Sequence, residues 1–170
     1  MSEPMNDAVV ERRAAPAASL IFISVAAIVA ACSAFASLTM GFAPWAMFVG
    51  WVAYFTRPIS AAEGLKTGLC VWLGITLGAG AALALGALTP TLGQASIIPV
   101  VFVAASIVLA FRSTPPFENV LAWFLGLITF FASHLAPSLL SIAELCAAAS
   151  LGIAAGWAAQ RLQAKVSGAH

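Results

Sequence analysis

The sequence predicts an all-α membrane protein of six transmembrane helices, built as two inverted three-helix repeats. Three observations predict it. Hydrophobic residues make up 62% of the chain and charged residues only 8%, against roughly 25% charged in a soluble domain. Apolar runs near the ~20 residues that span a bilayer recur along most of the chain. One aromatic segment with a central glycine also occurs twice. Pro44-Trp45-Ala46-Met47-Phe48-Val49-Gly50-Trp51-Val52-Ala53-Tyr54-Phe55 returns 76 residues later as Leu121-Ala122-Trp123-Phe124-Leu125-Gly126-Leu127-Ile128-Thr129-Phe130-Phe131. In register Ala46 meets Ala122, Phe48 meets Phe124, Gly50 meets Gly126, Tyr54 meets Phe130 and Phe55 meets Phe131. A membrane barrel would need alternating polar and apolar positions, and Val100–Ala105 does not alternate.

Residues 1–16 are polar, contain Pro4 and Pro16, and read as a disordered cytoplasmic tail. Residues 17–160 form the transmembrane domain, with repeats at 17–84 and 93–160, and 161–170 form a second short tail. Arg12 and Arg13 precede the first apolar run, at 17–40. Val29-Ala30-Ala31-Cys32 resembles a lipoprotein cleavage box, and Ala34-Phe35-Ala36 a signal-peptidase site. The run continues past both, and Val25, Ala34 and Phe35 match Val101, Ala110 and Phe111, which favours a retained first helix. The second run, 42–56, is short for a full span and reads as a thin helix or a re-entrant one. Arg57–Gly64 links it to a third run at 65–88. Thr89-Pro90-Thr91-Leu92-Gly93 reads as a turn, and a fourth helix follows at 95–111 with Pro99 near its start. Ser113-Thr114-Pro115-Pro116 breaks the chain before a fifth helix at 117–135. Ala136-Pro137 turns into a sixth at 138–160.

Charge position selects six full spans. With six, all seven basic residues (Arg12, Arg13, Arg57, Lys66, Arg112, Arg161, Lys165) fall on one side. The three opposite turns hold no Lys or Arg, so the positive-inside rule puts both termini in the cytoplasm. Were segments two and five re-entrant, Arg57, Lys66 and Arg112 would lie outside.

At the offset of 76, residues 17–84 and 93–160 are identical at 14 of 68 positions. Leu69-Cys70 aligns with Leu145-Cys146, and Gly80 with Gly156. Three helices per unit is odd, so the second unit enters the membrane inverted, the plan of many channels and transporters. Helices three and six carry small residues at every fourth position (Gly74, Gly78, Ala82, Gly86; Ala148, Gly152, Gly156). Such ridges let backbones approach closely, within the bundle or in a homo-oligomer.

Few side chains here carry chemistry. Glu144 is the one carboxylate well inside an expected span, where burial costs at least about 2.5 kcal/mol on insertion scales. His134 lies at the outer end of helix five, near enough in sequence to pair with Glu144 as a proton relay or polar-solute site. Ser138 and Ser141 lie outward of Glu144. The other reading of Glu144 is a protonated acid bonded to a neighbouring helix. Glu118 suits the N-terminal dipole of helix five, and Glu63 with Lys66 reads as a loop pair. Trp45 suits the outer interface, while Trp72, Trp123 and Trp157 suit belt or lipid-facing positions. The motif residues Phe48, Gly50, Tyr54, Phe124, Gly126 and Phe130 read as packing, or as a hydrophobic constriction lining a solute path.

Other classes are excluded or unsupported. A net charge of +1 offers no basic stripe for nucleic acid. Cys32, Cys70 and Cys146 show no CxxC or Cys/His spacing, so no metal site, cofactor or disulfide framework is expected. No GxSxG, HExxH or Walker loop is present, and an enzyme is not expected.

Trp45…Phe48-Val49-Gly50-Trp51-Val52-Ala53-Tyr54-Phe55, followed by Gly64-Leu65-Lys66, resembles a family of small bacterial inner-membrane proteins typified by YcdZ, with a domain of unknown function. Phe124-x-Gly126 is similar to the same pattern, and the likeness covers about residues 20–160. It implies an integral protein of the bacterial inner membrane and brings no substrate or catalytic residue. The sequence therefore leads to a passive channel or facilitator for a small neutral or weakly polar solute, partnered by the lipid bilayer and open to homo-oligomerisation. The alternatives are a proton-coupled transporter using Glu144, and a non-transporting accessory membrane protein.

Overall fold

A computed structural model describes residues 16–166. Every regular element among the described residues is a helix: α1 Pro16–Thr39, α2 Pro44–Tyr54, α3 Ala61–Leu92, a 3-10 turn Gly93–Ser96, α4 Ile97–Ala110, α5 Val120–Ser133 and α6 Leu139–Val166. Three stretches are long and apolar enough to cross a membrane: Leu20–Thr39, Ala61–Ala110 and Leu139–Val166. The second of these contains both α3 and α4, which the 3-10 turn joins without a break. Helices α2, with 11 residues, and α5, with 14, are only about 16 and 21 Å long at ~1.5 Å per residue.

Local sequence sets the boundaries. Pro44 starts α2, where its missing N–H would be unpaired in any case. Ser60 caps α3, its Oγ accepting from the Glu63 amide at 3.0 Å. Asn119 caps α5, its side chain accepting from the Ala122 amide at 3.1 Å.

Four expectations are corrected. Thr89–Leu92 is not a turn but the last turn of α3, which runs through Pro90. The proline removes the bond that its residue would donate to the Gly86 carbonyl, in the last turn of the helix. Thr89 Oγ1 donates to the Leu85 carbonyl at 2.6 Å, and Gly93, at φ +56, takes the left-handed reversal that follows. Glu63 and Lys66 do pair, at 2.6 Å, but in the first turns of α3 rather than in a loop. Helix α6 continues to Val166, so the first part of the expected 161–170 tail is helix; 167–170 lie outside the described residues, as do residues 1–15 of the expected N-terminal tail. Trp123 is buried instead of facing lipid, its Nε1 donating to the Phe117 carbonyl at 2.9 Å.

The core is made by the four inner helices. Ala46, Met47 and Tyr54 of α2, Val71 and Ile75 of α3, Trp123 and Phe130 of α5, and Ala148 and Ala149 of α6 are buried. Phe35, Phe102 and Leu139 are 69%, 72% and 86% exposed. An exterior this apolar matches hydrocarbon as its solvent.

Candidate functional site

The repeated motif sits where helices touch backbone to backbone. Helix α2 packs chiefly on α6, and α5 chiefly on α3, so each motif helix lies against the long helix of the other half. A Cβ built on Gly50 would lie 2.6 Å from the Ala149 carbonyl carbon, and one on Gly152 would lie 2.7 Å from the Trp51 nitrogen. At the second crossing, a Cβ on Gly126 would lie 2.8 Å from the Ile75 nitrogen, and one on Gly74 3.0 Å from the Gly126 Cα. Neither crossing has room for a methyl group. The reciprocity extends to the partners: the carbonyl facing Gly152 is that of Met47, and the carbonyl facing Gly74 is that of Trp123, which stand 76 residues apart. The small-residue ridges thus pack within the bundle, at Gly74, Gly78, Gly152 and Gly156. Gly86 touches nothing.

The remaining motif aromatics divide. Tyr54 is buried against Gly64 and Gly156, and Phe130 against Gly78. Phe48 is 39% exposed, and Phe124 lines an apolar groove of about 370 Å³ between α3, α4 and α5. Gly50 and Gly126 line none of the four grooves described between the helices.

A polar clamp closes one end of the bundle. Arg57, just after α2, donates through Nε to Glu63 at 3.0 Å and through Nη2 to Glu118 at 2.5 Å. The Glu63 bond, then the Glu118 bond, hold the guanidinium pKa above its usual value. Glu118 lies just before the Asn119 cap of α5, not in the first turn of the helix, and forms this ion pair. Asn119 Nδ2 donates to Thr56 Oγ1 at 2.7 Å and Thr67 Oγ1 at 3.3 Å. The clamp joins α2, α3 and α5 through side chains that the sequence reading treated singly. Its signal was the Asn119–Val120 helix start, which nothing local connects to Thr56.

Glu144 lies half-buried about a turn and a half into α6, and His134 ends α5 in the left-handed conformation at φ +54, exposed. No hydrogen bond or ion pair joins them or engages Glu144 among the described residues. Ser138 and Ser141 bond each other at 2.8 Å and cap the start of α6. The cysteines are free, and the described residues hold no cluster of three or more metal-ligating side chains.

A groove runs along the opposite flank, between the N-terminal half of α3 and the C-terminal half of α6. Its apolar part, about 380 Å³, is walled by Leu65, Gly68, Trp72, Ile153 and Trp157. A more polar mouth of about 310 Å³ continues it past Tyr54 to Ser60, Gln160 and Arg161. Sequence reading missed this groove, because its walls lie some eighty residues apart.

The family model described as "Protein of unknown function (DUF1097)" matches residues 23–163. The chain belongs to the DUF1097 family. That match reaches into all six α-helices of this DUF1097 protein and includes both glycine crossings and most of the groove. No curated protein and no solved structure matches the chain.

Proposed function

We propose that this DUF1097 protein is a six-span, multi-pass protein of the bacterial inner membrane, of the YcdZ type, with two inverted halves and both ends cytoplasmic. We further propose that it is non-conducting, and works through its lateral, lipid-facing surface rather than along its axis. One observation carries this: at both Gly50–Gly152 and Gly74–Gly126 the backbones of opposite halves meet with no space for a methyl. A passive path between the halves would have to pass through those crossings. The reciprocal packing of α2 on α6 and α5 on α3 supports the inverted pairing, because an inverting pseudo-two-fold exchanges these two contacts. Gln163 Nε2 donates to the Phe22 carbonyl at 3.0 Å, which brings the end of α6 to the start of α1 and supports termini on one side.

Two measurements test the reading. Single cysteines placed at Ser113 and at Gln94, in a chain lacking the native thiols, should react with an impermeant maleimide from opposite faces, Ser113 from the cytoplasm. Labelling of both from one face would remove the six-span topology. In proteoliposomes, glycerol- or urea-driven swelling should match empty vesicles; a faster rate would restore the channel reading.

A second reading is favoured by Glu144, a half-buried carboxylate in an apolar helix with no hydrogen bond or ion pair among the described residues. Such a residue is a functional candidate in its own right, and with His134 and the neighbouring Ser141 it would serve proton-coupled transport. A dye-detected proton flux abolished by Glu144→Gln would establish it, and flux unchanged by that substitution would dismiss it.

A further inference from the structure

We propose that the α3–α6 groove holds one acyl chain of an anionic phospholipid from the cytoplasmic leaflet, with the phosphate at Arg161. The groove has the polarity gradient such a molecule needs. Its deep part is almost wholly apolar, walled by Trp72 and Trp157 with Gly64 and Gly68 as its floor. Its mouth is polar and carries positive charge. Arg161 is exposed there, its guanidinium 5.4 Å from the Trp157 ring centroid, and no carboxylate pairs with it among the described residues. Lys165 lies one turn further along α6.

Two polar atoms at the mouth are left over. The Tyr54 hydroxyl and Gln160 Oε1 are buried without a hydrogen-bond partner among the described residues, and Tyr54 is only 2% exposed. Buried polar atoms without partners are destabilising, so a ligand with both acceptor and donor groups in its head and glycerol region relieves them. A phosphoglycerol head supplies both.

The depth also fits. Trp72 Nε1 donates to Ser150 Oγ at 3.1 Å, tying α3 to α6 and closing the inner end. From Ser60 to Trp72 the helix rises about 18 Å, close to half of the ~30 Å hydrocarbon core. The groove is therefore one leaflet deep. Basic sites between helices at the cytoplasmic face suit anionic head groups. The proposal rests on the orientation above only for the leaflet's name; the binding itself does not.

The test uses the whole protein in phosphatidylcholine vesicles containing phosphatidylglycerol or further phosphatidylcholine, with brominated acyl chains on one lipid at a time. Tryptophan quenching is read with Trp72→Phe/Trp157→Phe as the groove-blind control. Brominated phosphatidylglycerol should quench several-fold more at the groove tryptophans than brominated phosphatidylcholine at equal fraction. Arg161→Gln should abolish that preference while leaving chain contact in place. Gly68→Leu, whose added Cβ meets only Ile153 Cδ1 at 3.4 Å, should fill the groove and lower quenching by both lipids without disturbing the backbone. Equal quenching by the two lipids in the unaltered protein would mean ordinary boundary lipid and would overturn the proposal. So would a preference surviving Arg161→Gln. A failed topology or swelling test would leave these outcomes unchanged.

Discussion

Replacing Gly152 by alanine should destabilise the bundle severely, and replacing Gly50, Gly74 or Gly126 should do nearly the same. A methyl at Gly152 would lie 2.7 Å from the Trp51 nitrogen and 2.8 Å from the Met47 carbonyl carbon. Real Cβ atoms do not approach that closely, and the obstruction is backbone, which cannot rotate away. Small-to-large changes in packed interiors cost about 1–3 kcal/mol even where side chains can yield. Here two helices must separate, losing the dispersion contacts that hold helices together in lipid. The loss should exceed that range, seen as a lower midpoint in an SDS unfolding titration and as loss of the monodisperse species in mild detergent. Gly86→Ala supplies the contrast. Its Cβ would meet nothing within 4 Å, and exchanging glycine for alanine in an open helical position is neutral or favourable by up to ~1 kcal/mol. Gly74 and Gly86, on one ridge of α3, should therefore differ in sign. A Gly152→Ala protein as stable as its parent would mean that α2 and α6 do not cross as described.

Asn119→Ala should produce the next largest loss. Asn119 is 7% exposed and makes three bonds: it caps α5 at Ala122 and donates to Thr56 and Thr67. Losing the cap costs about 1 kcal/mol, and each lost hydrogen bond about 1 more, with the Thr67 hydroxyl left buried. A total of roughly 2–4 kcal/mol is expected in the same titration. Asn119→Asp should keep the cap but lose both donated bonds, and should fall between the two. If Asn119→Ala costs no more than exposed Thr91→Ala, the clamp does not join α2, α3 and α5. Arg57→Ala should behave differently. It leaves Glu118 without its cation at a partly buried site, and its cost should fall when Glu118→Gln is combined with it.

Much of this fold was legible because membrane helices advertise themselves by length and hydropathy, as α1 and α6 do. Most of what escaped was set by contacts distant in sequence. Pro90 is the local exception: a strong stop signal that α3 passes by two residues, with Thr89 bonding back to Leu85. Trp123 reads as an interfacial residue, yet the Phe117 carbonyl and the Phe111 ring, stacked 5.7 Å away, hold it inside. The repeated glycines were visible as a pair. Whether a glycine lines a path or admits another backbone depends on what faces it, and the facing atoms belong to helices roughly fifty to a hundred residues away. The groove beside Tyr54 has the same cause: Gly68 and Trp157 gain their meaning only together.

The most direct test of a closed seam between the halves is water access to its core. Ala46 and Ala122 are matched positions on α2 and α5, and both are fully buried. Each would be changed to cysteine in a chain lacking Cys32, Cys70 and Cys146, a small substitution at a small residue. A water-soluble methanethiosulfonate would then be applied to membrane vesicles of both orientations. Both thiols should stay unmodified from either face and react fully after denaturation in SDS. Modification of either in intact membranes would place a water path between the halves and contradict the closed bundle.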